Sequence, residues 1–189
     1  MPLAPFRPFA AVLLLASASV FAGPKEDVRA AIDKVMAARS YHVSMVHSGT
    51  SAMTTEADFV APDRFRMKMP MGTQYIIGDT MYMNVRGRSM KVPMGKGAMT
   101  QWRDPASIAK NEATMTITSL GIGMLDGKPA HKYKMVDSKT PTTSSVLWIG
   151  ASGYPLGIDV SGQTMGKPSN TTIRYSRYND PTIAIDPPK

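Results

Sequence analysis

The alternation of apolar and polar residues in the range Arg64–Pro93 predicts a β-meander around which the rest of the chain is organised. The stretch reads RFRMKMPMGTQYIIGDTMYMNVRGRSMKVP. Alternation is the period of a half-buried strand, because successive side chains leave opposite faces of a sheet. The pairs Gly78-Asp79 and Gly87-Arg88 interrupt it. Each pair is a hairpin signal, since glycine supplies the positive φ that a tight two-residue turn needs.

The two turns predict a register that sorts the side chains onto two faces. A loop at Gly78-Asp79 sets Ile76 opposite Met81, and a loop at Gly87-Arg88 sets Val85 opposite Met90 and Met83 opposite Val92. Directly opposed residues share a face of a sheet. One predicted face is therefore apolar and rich in methionine, with Ile76, Met81, Met83, Val85, Met90 and Val92. The preceding strand presents a similar face, because Phe65, Met67 and Met69 alternate with Arg64, Arg66 and Lys68.

The remaining pattern predicts one N-terminal helix and one helical insert. Residues 24–39 are amphipathic, with an apolar stripe made of Val28, Ile32, Val35 and Met36. A single helix ahead of many strands must pack against the sheet, because nothing else can cover its apolar face. Residues 94–113 predict a glycine-rich loop with a short helix over 104–110, for which Asp104 and Pro105 supply the N-cap and the first turn.

Further strands are predicted on both sides of the insert, which gives about ten in total. Met115 and Ile117 lie on one face of a strand, and His131, Tyr133 and Met135 share a face of another. A turn is predicted at Asp126-Gly127. The predicted strands outside the meander are 40–48, 51–60, 114–118, 130–136, 145–149, 156–161, 171–178 and 182–185, and Trp148 is predicted to be strand core.

The N-terminus has the pattern of a cleavable signal peptide. Arg7 gives a positive start, residues 9–15 an apolar core, and residues 20–22 a small-residue cleavage site before Gly23. The apolar stretch is too short for a transmembrane helix. We therefore expect residues 1–22 to be removed, leaving a single domain over 23–189. The expected compartment is the periplasm, and the lack of cysteine argues against a lipid anchor, a disulfide or a cysteine-ligated metal.

Charge and motif content narrow the function classes. The chain carries a formal net charge of +8, but its lysines and arginines are scattered. Scattered basic residues without interleaved aromatics argue against a nucleic-acid partner, whereas an anionic membrane surface is one candidate partner. Solvated strand faces are the other interpretation of the same charges. The three histidines have no metal-ligand spacing and no nucleophile motif occurs, so the sequence predicts neither an enzyme nor a metal or cofactor site.

The C-terminal half carries motifs that resemble a known family. These are DGKPAHKYKM at 126–135, LWIGASGYPLGIDV at 147–160 and IRYSRYNDPTIAIDPP at 173–188. Together with the N-terminal helix and APDRFRM at 61–67, they are similar to the LolA/LolB/LppX-type superfamily of periplasmic lipid and lipoprotein carriers. The resemblance implies an α+β fold, a half-open and strongly curved antiparallel β-barrel covered by helices, with an apolar cavity inside. Relatives often have an acidic residue after the Trp-Ile pair, where this chain has Gly150.

The resemblance implies non-catalytic binding of a lipid or of the acyl chains of a lipoprotein. We further expect a monomer, with inner- and outer-membrane proteins as candidate partners. The helices would move to admit the ligand, with Trp102 as a further lid residue. The candidate lid residues are Val28, Ile32, Val35, Met36 and Trp102. The candidate cavity-lining residues are Phe65, Met67, Met69, Ile76, Met81, Met83, Val85, Met90, Val92, Met115, Ile117, Tyr133, Met135 and Trp148.

Two alternatives remain open at the level of the sequence. The same fold also serves envelope sensors, so a ligand-sensing or stress-regulatory interaction module is the second hypothesis. The third follows from the sixteen methionines, because thioether sulfur can ligate Cu(I). Against copper, the predicted neighbours of the paired methionines are aliphatic, and flexible methionine suits an apolar core or an adaptable pocket.

Overall fold

The computed structural model describes residues 23–48, 52–85, 88–97, 103–164 and 166–188, which form one curved antiparallel sheet and two helices. The helices are α1, Pro24–Ala37, and α2, Pro105–Glu112. The eleven strands of the described residues are β1 Ser40–Ser48, β2 Met53–Val60, β3 Arg64–Met69, β4 Gly72–Ile77, β5 Thr80–Val85, β6 Arg88–Pro93, β7 Met115–Leu125, β8 Lys128–Asp137, β9 Ser144–Gly150, β10 Pro155–Thr164 and β11 Lys167–Ser176.

The strand order makes the sheet continuous but leaves it open. It runs β6-β5-β4-β3-β2-β1-β11-β10-β9-β8-β7, so β6 and β7 are its two edges. The pairing of β1 with β11 joins the N-terminal and C-terminal halves of the chain. The predicted α+β half-open barrel is confirmed, with eleven strands in the described part of the chain.

The meander is confirmed, although the register of its second turn was predicted wrongly. Ile76 pairs with Met81 as expected. Met83, however, pairs with Met90 rather than with Val92, because β5 ends at Val85 and β6 already begins at Arg88. In the sequence, Gly87 fits a two-residue loop at 86–87 as well as one at 87–88, so the alternation of apolar and polar residues could not choose between the two loops. The predicted register is wrong by two residues, which leaves each side chain on its predicted face, since side chains alternate with period two.

Helix α1 connects the two halves of the sheet by packing its apolar stripe on one face, which we call the inner face. Val35 belongs to a buried cluster with Tyr41, Phe59, Phe65 and Ile76 on strands β1 to β4. Val28 and Ala31 belong to a second cluster with Tyr133, Leu147 and Ile149 on strands β8 and β9. One helix therefore packs against both halves of the curved sheet, as the sequence predicted from the lack of any other cover.

Helix α2 begins as predicted and lies beside α1. The Asp104 carboxylate accepts a hydrogen bond from the Ser107 main-chain N–H at 2.9 Å, which caps the helix. Arg29 on α1 pairs with Glu112 on α2 at 3.3 Å. No residue of α2 is buried, so this helix is held by few contacts. Neither helix of the described chain is long and apolar enough to cross a membrane.

Residues 182–185 were predicted as a strand, and this prediction is wrong. They form an irregular segment whose main-chain oxygens bond to side chains instead of a strand ladder. Arg66 donates to the Ala184 oxygen at 3.4 Å, and Arg64 donates to the Ile185 oxygen at 2.9 Å. Ile183 and Ile185 are buried, which explains why their alternation looked like that of a strand.

The β7–β8 hairpin is longer than predicted. Its turn lies at Asp126-Gly127, as expected, and both residues have positive φ, 50° and 77°. The register shifts between Ser119 and Ile122. This β-bulge interrupts the alternation, which is why the sequence pattern indicated a strand only as far as residue 118.

Candidate ligand-binding cavity

An apolar cavity of about 490 Å³ lies between α1 and the inner face of the sheet. Three of the residues that line the cavity come from helix α1, and the rest come from strands in both halves of the chain. The lining residues are Ile32, Val35, Met36, Tyr41, Val43, Met45, Ala57, Asp58, Phe59, Phe65, Met135, Leu147, Pro155, Ile158 and Tyr175. The volume lies in the range of small-molecule sites in proteins, about 300–1,000 Å³.

Aromatic rings form a continuous wall of the cavity on β1, β2 and β3. The Tyr41 and Phe59 ring centroids are 4.8 Å apart, and those of Phe59 and Phe65 are 5.0 Å apart. Tyr175 on β11 meets Tyr41 edge to face at 6.1 Å. Large rings bury much apolar surface and few polar atoms, so this wall offers a ligand mainly apolar contact.

The tyrosines beside the cavity remain neutral at ordinary pH. Burial, and to a smaller extent the neighbouring Tyr175, raise the pKa of Tyr41 to about 12, against a lowering contribution from Arg103. Burial also raises the pKa of Tyr175 and of Tyr178, which lies 5.9 Å from Tyr41. Burial disfavours the charged form of a phenol. The aromatic wall therefore carries no phenolate.

Asp58 borders the cavity but directs its carboxylate to the outer face of β2. There it contacts His42 Nδ1 at 2.8 Å and accepts from Arg66 Nη2 at 2.6 Å. Burial alone would raise the pKa of Asp58, but the hydrogen bonds from His42 and Arg66 outweigh it and hold the pKa below its ordinary value. The negative charge is thus paired outside the cavity, which leaves the interior apolar.

Arg103 links the segment before α2 to the cavity wall. Its guanidinium lies 4.6 Å from the centroid of the Phe59 ring and donates to the main-chain oxygen of Met36. Phe59 and Met36 both line the cavity. Arg103 therefore connects the segment before α2 to residues that line the cavity.

The structure brings only some of the predicted site residues to the cavity. Phe65 and Met135 line it, and so do the lid candidates Ile32, Val35 and Met36. Other predicted residues belong to the packed clusters beside it: Ile76, Met67 and Met81 with the Phe59 cluster, and Val28, Ile117 and Tyr133 with the second cluster.

The remaining predicted residues lie away from the cavity walls. By their pairing, Met69, Met83, Met90, Val92 and Met115 share the inner face without lining the cavity. Met83 accepts a hydrogen bond from the Gln74 amide at 3.6 Å. The methionine face of the meander thus extends the inner surface beyond the cavity. The Val85 side chain and Trp102 lie outside the described part of the chain.

Trp148 was predicted to line the cavity, but the structure places it on the outer face of β9. Its indole N–H donates to Asp159 at 2.8 Å, and the Lys132 ammonium lies 5.6 Å from its ring centroid. The adjacent Leu147 and Ile149 are buried in the second cluster. The run SVLWI is apolar at every position after the serine, so its sequence could not tell which face each residue takes.

Several cavity residues were missed by sequence reasoning. They come from β1, β2, β9, β10 and β11: Tyr41, Val43, Met45, Ala57, Phe59, Leu147, Pro155, Ile158 and Tyr175. Alternation of Tyr41, Val43 and Met45 was present in β1, but apolar residues on both faces left the register open. The pairing of β1 with both β2 and β11 decides which face turns inward.

The described residues contain no group of three or more His, Cys, Asp and Glu side chains that could hold a metal ion. His42 contacts Glu56 at 2.8 Å on the outer face, where Ser44 also donates to Glu56 at 2.8 Å. These groups bond to one another and to Asp58, away from the cavity. The arrangement of the site is that of an apolar binding pocket.

Comparison with known proteins identifies the fold. No protein-family profile and no curated protein matches the sequence. The crystal structure of the Mycobacterium tuberculosis lipoprotein LppX is similar with a TM-score of 0.66 and 13% identity, over 86% of this chain and 97% of that one.

Two other solved structures are similar at a lower level. The Pseudomonas aeruginosa MucA/MucB complex gives a TM-score of 0.47 at 12% identity, over 82% of this chain and 58% of that one. A LolA superfamily protein from Nitrosomonas europaea gives 0.32 at 8% identity, over 82% and 92%. Both TM-scores are below 0.5, so the similarity in fold rests on the LppX structure. The predicted resemblance is confirmed for the fold, and the chain has an LppX-like architecture.

Proposed function

We propose that this protein binds the acyl chains of a lipid or of a lipidated protein, without catalysis, in the cavity between α1 and the sheet. The observation that carries the proposal is the cavity itself, which has a volume of about 490 Å³ and is lined almost entirely by apolar surface. Burial of an acyl chain contributes about 0.8 kcal/mol per methylene. Affinity should therefore rise about fifteenfold for every two methylenes that the cavity still accommodates.

The lining supports selectivity for apolar chains with little recognition of the head group. The Asp58 carboxylate is paired with Arg66 on the other face, and the tyrosines of the aromatic wall are neutral. Met36, Met45 and Met135 line the cavity from α1, β1 and β8. Their flexible side chains suit chains of different shape.

The proposal includes a carrier role in an exported protein. The signal-peptide pattern of residues 1–22 supports export to the periplasm, with a single domain over 23–189. An acyl chain needs shielding from water in such a compartment, and a cavity that opens and closes would allow transfer between membranes or partner proteins. The cavity-lining role of Phe65 and Met135, and the lid role of Ile32, Val35 and Met36, are parts of this proposal.

Native mass spectrometry of protein purified from its own envelope tests the proposal, together with displacement of a fluorescent fatty acid. Met45→Asp places a carboxylate at the cavity wall and should weaken fatty-acid binding at least tenfold, because burial of an unpaired charge is costly. Val46→Asp is the matched control. Val46 is the next residue of β1 and is 43% exposed, so this variant should bind as the unmodified protein does. Equal binding by both variants, with folding intact, would refute the proposal.

A further inference from the structure

The β7–β8 hairpin carries an exposed apolar surface near its turn. Leu120, Ile122 and Met124 are 45%, 68% and 63% exposed. On the paired strand, Pro129 faces Met124 and is itself exposed. We call these four residues the hairpin patch. Large aliphatic side chains exposed together on one element mark an interaction surface.

The hairpin patch is separate from the cavity. Met135 lines the cavity from β8, and Pro129 precedes it on the same strand. At a rise of roughly 3.3 Å per residue, Pro129 lies about 20 Å along the strand from Met135, and Ile122, which pairs with His131, lies about 13 Å from it. No residue of the hairpin patch lines the cavity. A ligand enclosed in the cavity would not cover it.

The hairpin is also cationic. Lys128 and Lys134 are exposed on β8, and Lys132 lies over the Trp148 ring at 5.6 Å. At the turn, the carboxylate of Asp126 pairs with Arg174 at 3.3 Å. The lysine side chains project from the outer face of the hairpin. Their charges still act at the hairpin patch, because charges one sheet thickness from a surface remain within the screening length of about 10 Å at 0.1 M salt.

The edge of β7 is poorly suited to a partner strand. The strand lies at the edge of the sheet, but the bulge between Ser119 and Ile122 breaks its ladder. Gly121 within the bulge has a φ of 76°. Bulges on an edge strand prevent the addition of a further strand. Aliphatic side chains beside lysines match the boundary between acyl chains and head groups instead.

We propose that the hairpin patch docks this protein on an anionic lipid bilayer. Ile122 and Met124 enter the acyl boundary, while Lys128 and Lys134 remain near the head-group phosphates. The docking surface does not depend on a cavity ligand. Loss of vesicle binding and loss of fatty-acid binding are therefore separate results, produced by different variants.

A site-specific fluorophore tests the contact, because the chain has no cysteine. Ile122→Cys labelled with an environment-sensitive nitrobenzoxadiazole dye should shift its emission to the blue on vesicles of phosphatidylcholine and phosphatidylglycerol. Vesicles of phosphatidylcholine alone should give a smaller shift. Met71→Cys is the matched control, since Met71 is 96% exposed at the β3–β4 turn, and its label should report water in both cases.

Vesicle sedimentation gives the energetic test. Ile122→Ser with Met124→Ser should weaken binding to the anionic vesicles at least tenfold. Lys128→Gln with Lys134→Gln should weaken it about twenty-five-fold at low salt, from about fivefold per lysine. Met71→Ser and Lys110→Gln should leave it unchanged. Full binding by both double variants would overturn the proposal. So would a label at position 122 whose emission shifts with protein concentration without vesicles, because a second copy would then cover the patch.

Discussion

The Arg103 guanidinium lies 4.6 Å from the centroid of the Phe59 ring, and Phe59 is 1% exposed. A cation packed on a buried aromatic ring contributes about 1 kcal/mol or more. Arg103 also donates to the main-chain oxygen of Met36 on α1. It thereby connects the segment before α2 to the aromatic wall of the cavity and to the helix that covers it.

Replacement of Arg103 should accelerate ligand exchange. Arg103→Ala removes the ring contact and the hydrogen bond to Met36, so release of a fluorescent fatty acid should become about tenfold faster. Stopped-flow displacement measures the rate. Lys110→Ala, at an exposed position of α2, is the control and should leave the rate as it is. An unchanged release rate in Arg103→Ala would show that this contact does not limit opening.

The hydrogen bond between Tyr133 and Asp27 should hold the N-terminal turn of α1 on the sheet. The Tyr133 hydroxyl donates to the Asp27 carboxylate at 2.7 Å. Tyr133→Phe should lower the free energy of unfolding by about 1 kcal/mol and accelerate amide hydrogen exchange in the first turn of α1. Asp27→Asn should act in the same direction. Because both changes remove one interaction, the double variant should lose less than the sum of the two.

Because of the same hydrogen bond, the stability of the unmodified protein and that of Tyr133→Phe should respond differently to alkaline pH. Burial, and then the hydrogen bond to Asp27, raise the pKa of Tyr133 to about 12, whereas an unfolded tyrosine titrates near 10. The neutral hydroxyl therefore stabilises the fold fully below pH 10, and this contribution is lost as the pH rises through about 12. Urea unfolding over this window should show a smaller loss in Tyr133→Phe than in the unmodified protein. An equal dependence of the unfolding free energy on pH in the two proteins would contradict the prediction.

Much of the fold could be predicted from the sequence because its strands alternate cleanly. In β3, Phe65, Met67 and Met69 alternate with basic residues, and the structure keeps them on one face. The same local rule failed for Trp148, because β9 is apolar on both faces. Outward placement there depends on Asp159 and Lys132, which come from neighbouring strands.

The position of the cavity could not be derived from the meander alone. The inner face extends from Phe65 to Met90, but only the part near α1 is enclosed, and Met90 is 48% exposed. The enclosure depends on β11 joining β1, which brings Tyr175 beside Tyr41. The strands β1 and β11 are separated by most of the chain length, so no local sequence pattern predicts that they pair.

Asp58 should make the protein sensitive to acid. Hydrogen bonds from His42 and Arg66 outweigh burial and hold the Asp58 pKa below its ordinary value. A carboxyl group with a depressed pKa in the folded state stabilises the fold above its ordinary pKa of about 4, and this contribution is lost as the pH falls through the folded pKa. Asp58→Asn should cost about 2 kcal/mol at pH 7.

Urea unfolding between pH 7 and pH 2 measures this contribution. The difference in unfolding free energy between the unmodified protein and Asp58→Asn should begin to shrink below about pH 4, where the carboxyl of the unfolded chain becomes protonated, and should be lost as the pH falls through the depressed pKa of the native carboxyl. Arg66→Gln removes one of the two partners and should weaken the acid dependence without abolishing it. A difference that stays constant over the whole range would mean that packing, and not charge, accounts for the effect of Asp58.

Gly157 should tolerate no side chain, because β10 and β11 approach each other closely at this point. A Cβ atom at Gly157 would lie 2.7 Å from the Ile173 main-chain oxygen and 2.8 Å from the Arg174 guanidinium. The main-chain oxygen is fixed by the sheet, so Gly157→Ala should lower the free energy of unfolding by about 2 kcal/mol. Gly95→Ala is the matched control, since a Cβ there would meet nothing within 4 Å, and it should change stability by less than about 0.5 kcal/mol. Urea unfolding of both variants decides the point, and equal stability would mean that the sheet adjusts beside Ile158 at the cavity wall.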